Sequence, residues 1–174
     1  SIIRHNLCRG KYKFARRPVL INNWEATYFD FNEEKILSIA RQASELGIEM
    51  LVLDDGWFGS RDSDNAGLGD WFVNTDKLKG GLTDLVTGIN GLGMKFGIWI
   101  EPEMVNEDSR LYREHPDWAL TIPGRKPCRS RNQLVLDMSR SEVRDYVFDS
   151  IAAVLKSANV EYVKWDMNRS ICDV

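Results

Sequence analysis

Four short apolar runs divide the chain, and each is bounded by polar residues. They are residues 18–24 (PVLINNW), 50–53 (MLVL), 95–100 (KFGIWI) and 160–165 (VEYVKW). A short apolar run with such boundaries and many β-branched or aromatic side chains is typical of a buried β-strand. The chain is therefore predicted to contain four strands, spread over its whole length.

Between these runs lie three segments, 33–46, 82–92 and 141–157, in which apolar residues recur at helical spacing. Because side chains three or four positions apart share one side of a helix, each segment is predicted to be an amphipathic α-helix. Asn32 precedes the first segment and Ser141 opens the third, and both side chain types suit a helix N-cap. The prediction is thus an alternation of four strands with three helices.

Strands that are apolar on both faces and alternate with such helices indicate a parallel sheet, because the crossover helices cover both faces. No dinucleotide-binding or P-loop glycine motif follows any of these strands. Polar and aromatic residues instead stand at the carboxyl ends of the strands, where a (β/α)8 barrel holds its chemistry. They are Trp24, Asp54, Asp55, Glu101 and Asp166. We therefore predict an α/β fold of the (β/α)8 TIM barrel type.

A complete barrel needs about 250 residues, whereas this chain has 174 and ends shortly after the fourth predicted strand. We therefore expect only about the first four β/α units, with residues 18–174 forming the N-terminal half of the barrel. Residues 104–133 are predicted to be a long excursion after the third strand, with a short helix at 109–115. Long loops at a barrel rim usually carry function.

Composition restricts the partners and the compartment. Lysine and arginine number 23 against 26 acidic residues, so the net charge is −3, and the two signs are interspersed, which argues against binding nucleic acid or an anionic membrane surface. No apolar run approaches the roughly 18 residues of a membrane span. The odd number of widely spaced cysteines, Cys8, Cys128 and Cys172, disfavours a disulfide framework or a zinc site and favours a cytoplasmic protein.

Asp166 ends the last predicted strand, within residues 164–169 (KWDMNR). A carboxylate there can act as a nucleophile, bind a metal or cap the next helix. Lys164 stands two residues earlier, so both side chains point to the same side of a strand, where the ammonium is expected to lower the pKa of Asp166. An ionised carboxylate suits a nucleophile, which is the role we favour.

Asp54 and Asp55 follow the second strand directly and stand beside Trp57. Two adjacent carboxylates suit a divalent metal or a pair of vicinal hydroxyl groups, and an Asp-Gly turn is the simpler alternative. A metal needs further oxygen ligands. Glu101 and Glu103 could supply them, but no known spacing of metal ligands is present. We favour the binding of hydroxyl groups.

Six tryptophans are present, and four of them lie in or just after predicted strands: Trp24, Trp57, Trp99 and Trp165. Core packing explains any single one. Indole faces near carboxylates also suit the C–H face of a sugar ring, so we expect at least two to line a pocket. In the excursion, Arg131 can bind a hydroxyl or orient a carboxylate with its rigid guanidinium, although a solvated charge is the alternative.

Five ordered segments closely resemble the catalytic barrel of family 36 glycoside hydrolases, the microbial α-galactosidases. They are residues 20–26 (LINNWEA), 53–58 (LDDGWF), 97–104 (GIWIEPEM), 131–137 (RNQLVLD) and 164–169 (KWDMNR). The resemblance implies a retaining α-galactosidase that hydrolyses terminal α-linked galactose from oligosaccharides of the melibiose and raffinose type. It implies no cofactor and no metal. A related α-galactosyl transferase or α-N-acetylgalactosaminidase is the nearest alternative, and a metal-dependent barrel enzyme or a noncatalytic sugar-binding module is more distant.

The resemblance also assigns roles to residues. It implies that Asp166 is the catalytic nucleophile and that Asp54 and Asp55 bind the O4 and O6 hydroxyls of galactose. Other substrate-binding residues that it implies are Trp24, Trp99, Arg131, Lys164 and Asn168.

Retention needs a second carboxyl group roughly 5–5.5 Å from the nucleophile. In the family this acid/base lies in the second half of the barrel, and Asp173 matches no family motif for it. We therefore expect this chain to carry the nucleophile, to lack the acid/base and to be inactive alone. The resemblance further implies that residues 1–17 are the tail of a linker from a preceding β-sandwich domain and that the full-length enzyme is a homo-oligomer.

Overall fold

The computed structural model describes residues 2–172, so Ser1, Asp173 and Val174 lie outside the described residues. Six strands occur in this part of the chain: β1 (Leu20–Asn22), β2 (Met50–Leu53), β3 (Lys95–Ile100), β4 (Met104–Val105), β5 (Leu134–Val135) and β6 (Tyr162–Trp165). Strands β1, β2, β3 and β6 form one parallel sheet in that order. Strands β4 and β5 form a separate antiparallel pair.

Five α-helices lie between these strands: α1 (Trp24–Thr27), α2 (Glu33–Glu45), α3 (Gly81–Gly91), α4 (Arg110–Glu114) and α5 (Ser141–Ser157). The three long helices turn apolar faces to the core, as their periodicity predicts. Their buried residues include Ile36 in α2, Leu85 in α3 and Val147 in α5. Within residues 2–172, no helix is long and apolar enough to cross a membrane.

Most of the predicted element bounds agree with the structure. Strands β2 and β3 and helix α5 have the predicted bounds, whereas the first strand is shorter because the chain enters α1 at Trp24. The side chain of Asn32 caps α2 as predicted, accepting a hydrogen bond from a first-turn N–H at 2.9 Å. The prediction that Ser141 caps α5 is wrong. Arg140 is the N-cap, with extended backbone, and Ser141 is already helical.

Burial separates the inner strands from the outer strands. Strand β2 is buried throughout and β3 is buried except at Lys95, whereas β1 and β6 are partly exposed. Trp165 in β6 is 60% exposed and Leu20 in β1 is 43% exposed. The parallel pairing of these four strands confirms the predicted parallel α/β sheet. Its closure into a barrel stays a prediction, because β1 and β6 are the two outer strands of this sheet.

The excursion after β3 is a structured layer with its own helix and strand pair. Helix α4 lies within the predicted range 109–115, and Ser109 caps it by accepting a hydrogen bond from a backbone N–H at 3.0 Å. The β4–β5 pair is not predictable from the sequence, because two residues per strand are too few to show an alternating pattern. This pairing brings the two ends of the excursion together beside β3.

A tight turn at residues 130–133 directs part of the excursion back towards the sheet. Ser130 and Gln133 exchange backbone hydrogen bonds, and the residues between them, Arg131 and Asn132, have φ angles of 51° and 58°. Positive φ at both central positions is the geometry of a type I′ hairpin turn, which tolerates asparagine well and arginine less well. The turn places Arg131 beside the carboxyl ends of the parallel strands.

Candidate active site

A small polar pocket opens at the carboxyl ends of the parallel strands. Its volume is about 160 Å³, and its lining consists of Trp24, Asp54, Asp55, Trp99, Arg131, Lys164, Asp166 and Asn168. These eight residues are the ones selected from the sequence. Seven of them lie at or just after the carboxyl ends of parallel strands, which meet at one edge of the sheet. The turn at residues 130–133 adds Arg131. The role of each residue stays a prediction.

Asp166 follows β6 directly and is held mainly by uncharged donors. Its Oδ2 accepts hydrogen bonds from Trp99 Nε1 and Asn168 Nδ2, both at 2.9 Å, and its Oδ1 accepts one from the backbone N–H of Met167 at 3.0 Å. Burial acts to raise the pKa of Asp166, but these three donors, and then the charge of Lys164, outweigh it and lower the pKa. Asp166 is therefore ionised at neutral pH.

The ammonium of Lys164 binds another carboxylate. Its Nζ donates to Asp54 Oδ2 at 2.7 Å, and Asn22 Nδ2 donates to the same oxygen. Lys164 lowers the pKa of Asp166 as expected, but its charge contributes less than each of the three hydrogen bonds. The reason is that the long lysine side chain reaches across the sheet to the end of β2.

Asp54 is fixed from several directions. Besides the donors to Oδ2, the backbone N–H of Asp55 donates to Asp54 Oδ1 at 2.9 Å. The backbone N–H of Asp54 itself donates to Asn23 Oδ1 at 2.8 Å, which ties the end of β2 to the end of β1. Each carboxylate oxygen has about two acceptor sites, so Asp54 Oδ1 can still accept a hydrogen bond from a ligand.

Asp55 is held by Arg61, a functional residue that was not among those predicted from the sequence. Arg61 Nε donates to Asp55 Oδ1 at 3.0 Å and its terminal NH2 group donates to Oδ2 at 2.8 Å, so the pair is bidentate. Both residues are buried. Burial raises the pKa of Asp55, while the hydrogen bonds and charge of Arg61 act to lower it. A lone arginine in the polar segment 61–65 (RDSDN) gives no pattern that would distinguish it from a solvated charge.

Glu101 supports the pocket without lining it. This fully buried carboxylate accepts a hydrogen bond from the backbone N–H of Asn168 and one from Gln133 Nε2 at 3.2 Å. Burial raises the pKa of Glu101, and the hydrogen bonds from Asn168 act in the opposite direction. Glu101 thereby fixes the backbone of Asn168, whose side chain amide binds Asp166.

The four strand-associated tryptophans divide into two pairs. Trp24 and Trp99 line the pocket, in agreement with the expectation that at least two would. Trp57 is fully buried in the core, and its Nε1 donates to the backbone oxygen of Trp99 at 2.9 Å. Trp165 is exposed and donates to Glu103 at 2.9 Å. Trp57 therefore supports the backbone of a pocket residue, whereas Trp165 lies outside the pocket lining.

The polar groups of the pocket suit hydroxyl ligands. Asp54 is paired with Lys164 and Asp55 with Arg61, so two of its carboxylates already have a cationic partner. Within residues 2–172, no group of three or more histidine, cysteine, aspartate or glutamate side chains is arranged to hold a metal ion. Carboxylate acceptors beside ammonium and amide donors, with indole walls, form a pattern that matches a sugar ring.

The fold is that of a parallel α/β domain with a polar pocket at the carboxyl edge of its sheet, and comparison with known proteins specifies the family. The Melibiase family model matches residues 1–174. The chain belongs to this family.

Relatives that resemble the chain include α-galactosidases. It is 62% identical to the bifunctional α-galactosidase/sucrose kinase AgaSK of Mediterraneibacter gnavus, over 100% of this chain and 19% of that protein. It is 58% identical to the α-galactosidase AgaA of Geobacillus stearothermophilus, over 100% of this chain and 24% of AgaA. The chain thus spans about a fifth to a quarter of the length of these curated relatives.

The fold is shared with solved structures of α-galactosidases. A crystal structure of an AgaA variant in complex with raffinose has a TM-score of 0.96 and 58% identity, covering 99% of this chain and 24% of that one. TtGalA, an α-galactosidase from Thermus thermophilus solved with p-nitrophenyl α-D-galactopyranoside, has a TM-score of 0.74 at 27% identity, covering 87% of this chain and 31% of that one.

Proposed function

We propose that the protein containing this chain is a retaining α-galactosidase, which removes terminal α-linked galactose from oligosaccharides of the melibiose and raffinose type. The observation that carries this proposal is the pocket itself, in which ionised Asp166 lies with two further carboxylates and two indoles. The names of the relatives, and the raffinose bound to the AgaA variant, support the same substrate class.

In this proposal Asp166 is the nucleophile of a double displacement. A carboxylate oxygen of Asp166 forms a bond to the anomeric carbon while the bond from that carbon to the leaving oxygen breaks and an acid donates a proton to that oxygen. Water then hydrolyses the glycosyl ester and the anomeric configuration is retained. Uncharged donors from Trp99 and Asn168 hold the attacking group in place and keep it anionic.

The remaining pocket residues are proposed to bind the galactose ring. Asp54 and Asp55 accept hydrogen bonds from the O4 and O6 hydroxyls of the galactose. Lys164 and Asn168 donate to ring hydroxyls near the anomeric carbon. The walls of the pocket are formed by Trp24, Trp99 and Arg131.

The acid/base is proposed to come from a segment outside these 174 residues. A retaining mechanism places it roughly 5–5.5 Å from the nucleophile. Among the described residues that line the pocket, the other carboxylates are Asp54 and Asp55, and both are paired with cations and assigned to hydroxyl binding. We therefore expect that the chain alone does not turn over.

The same reasoning extends to the architecture. We propose that the four-stranded sheet is the first half of a (β/α)8 barrel in which residues 18–174 take part and residues 1–17 form a linker. The exposed side chains of β1 and β6, and the coverage of about a quarter of the solved relatives, support further strands at both edges. We further propose a homo-oligomer that acts on α-galactosides in the cytoplasm, without nucleic acid or membrane partners.

The decisive experiment follows the anomer that the full-length protein releases first from p-nitrophenyl α-galactoside. Proton NMR during the first turnovers is expected to show α-galactose, which mutarotates later. Activity in excess EDTA is expected to equal that without EDTA. First release of the β-anomer would contradict retention, and absence of hydrolysis would contradict the proposed activity itself.

A further inference from the structure

The guanidinium of Arg61 is fixed by more than its partner Asp55. Its NH1 group donates to the backbone oxygen of Ala66 and to Asn106 Oδ1, both at 3.0 Å. The Cζ atom of Arg61 lies 5.5 Å from the centroid of the Phe29 ring. With the two bonds to Asp55, four hydrogen bonds hold a side chain that is 1% exposed. The position of Arg61 is therefore set on every side by the protein.

Asn106 joins this arrangement to the excursion. It is fully buried, and its Oδ1 also accepts a hydrogen bond from the backbone N–H of Leu68 at 2.9 Å. Its Nδ2 donates to the backbone oxygens of Asp64 at 3.2 Å and Asn132 at 2.9 Å. One amide thus ties the loop that carries Arg61 to the turn at residues 130–133.

A second, electrostatic link runs parallel to this one. Asp64 Oδ1 lies 3.8 Å from a terminal nitrogen of Arg61 and 3.5 Å from a terminal nitrogen of Arg131. The pocket residues Asp55 and Arg131 are therefore the two ends of one network whose centre is Arg61. That network lies behind the pocket wall, and Arg61 is absent from the lining itself.

We propose that Arg61 is a positioning residue that presents Asp55 to one hydroxyl group of the bound galactose. The proposal rests on the proposed function and adds a determinant of specificity to it. A carboxylate has about four acceptor sites, and the guanidinium fork occupies one on each oxygen, which leaves sites for a hydroxyl donor. A lysine can supply the charge but cannot hold both oxygens at once.

The test uses the full-length protein, with Arg61→Lys and Arg61→Met as variants and Arg110→Lys as a matched control. Arg110 forms an exposed ion pair with Glu114 in α4 and takes no part in the pocket. The substrates are p-nitrophenyl α-galactoside and its 4-deoxy and 6-deoxy analogues. Each deoxy analogue lacks one hydroxyl. If Arg61 acts through the carboxylate that binds this hydroxyl, replacing Arg61 should have little effect on the hydrolysis of that analogue.

For the parent substrate, Arg61→Lys is expected to lower kcat/KM by about 10- to 100-fold, mainly through KM, since a hydrogen bond to a charged group is weakened in the ground state and transition state alike. For one of the two deoxy analogues, wild type and variant are expected to agree within about threefold. Arg110→Lys is expected to match wild type on all three substrates.

Equal losses on all three substrates, or no loss on the parent, would overturn the proposal. Thermal denaturation identifies a variant that fails to fold. If Arg61→Met fails, Arg61→Lys decides alone, and failure of both would assign Arg61 a structural role and overturn the proposal as well. An inactive wild type would instead contradict the proposed function, so the two failures are distinguishable.

Discussion

Asp55 and Asp166 line one pocket, but the protein holds them in opposite ways. Asp55 follows β2 and is paired with a buried guanidinium, that of Arg61. Asp166 follows β6 and accepts its hydrogen bonds from an indole, a side-chain amide and a backbone N–H. Burial raises the pKa of Asp55 despite its cation, whereas uncharged donors lower the pKa of Asp166 despite its partial burial.

The difference shows how one pocket can hold carboxylates for two tasks. A bidentate cation neutralises most of the charge of a carboxylate and fixes both oxygens, which suits an acceptor that must stay in place. Oriented dipoles stabilise a carboxylate but leave its net negative charge available to an electrophilic carbon. This difference supports the proposal that Asp166 is the nucleophile and Asp55 binds a hydroxyl group.

The strongest test of this difference between Asp55 and Asp166 is to remove the carboxylate of Asp166. Asp166→Ala in the full-length protein is expected to lower kcat on p-nitrophenyl α-galactoside by at least about 10³-fold, because the covalent step is lost. Azide is expected to restore part of the rate and to yield β-galactosyl azide. Asp149→Ala, at an exposed position in α5, is the control and should leave the rate unchanged. A variant with near wild-type activity would exclude Asp166 as the nucleophile.

Replacing each aspartate by asparagine tests the two kinds of support. Asp55→Asn leaves the buried charge of Arg61 unpaired, and breaking such a pair costs about 3–5 kcal/mol, so a clear fall in Tm is expected together with a loss in kcat/KM of about 100-fold. Asp166→Asn removes no cationic partner and should change Tm little while abolishing turnover. Equal Tm values for the two variants would contradict the distinction.

Trp99→Phe is expected to have a smaller effect, which appears in the dependence of kcat/KM on pH. Loss of the indole donor raises the pKa of Asp166, so the ionised form disappears at a higher pH as the solution is acidified. The acidic limb of kcat/KM should therefore move to higher pH, with about tenfold lower activity at neutral pH. Trp118→Phe, which changes a buried indole stacked on His115 outside the pocket, should leave that limb in place.

The smallest predicted effect concerns Gly67, which packs against the backbone of Arg61. Gly67 has φ of +79°, and a Cβ there would lie 2.9 Å from the Arg61 backbone nitrogen. Gly124 has φ of +78° with nothing within 4 Å of such a Cβ, so Gly124→Ala controls for backbone strain alone. Gly67→Ala is expected to raise KM a few-fold more than Gly124→Ala. Equal KM values would show that the loop tolerates the displacement.

Much of the fold could be predicted because its main elements are long or strongly apolar. Helical spacing over α5 and the uninterrupted apolar runs of β2 and β3 determine those elements locally. Much of the pocket followed from topology, since residues at the carboxyl ends of neighbouring parallel strands converge at one edge of the sheet. Asp54, Trp99 and Asp166 lie together for this reason.

The partners within the pocket could not be predicted in the same way. The spacing of Lys164 and Asp166 shows that they share a side of β6, but a long, flexible side chain can reach any carboxylate on that side, and here it reaches Asp54. The burial of Arg61 depends on contacts with Asn106, which is distant in sequence. Sequence periodicity contains no information on such contacts.

The sequence separation within the two ion pairs has a consequence for biosynthesis. Asp55 meets Arg61 six positions later, and Arg61 is fixed in turn by Asn106, 45 positions beyond it, so this buried pair needs residues up to the start of the excursion. Asp54 must wait for Lys164, 110 positions further on. The residues that support Asp55 are therefore all synthesised before β6, whereas the lysine that compensates Asp54 arrives with the same strand that delivers Asp166.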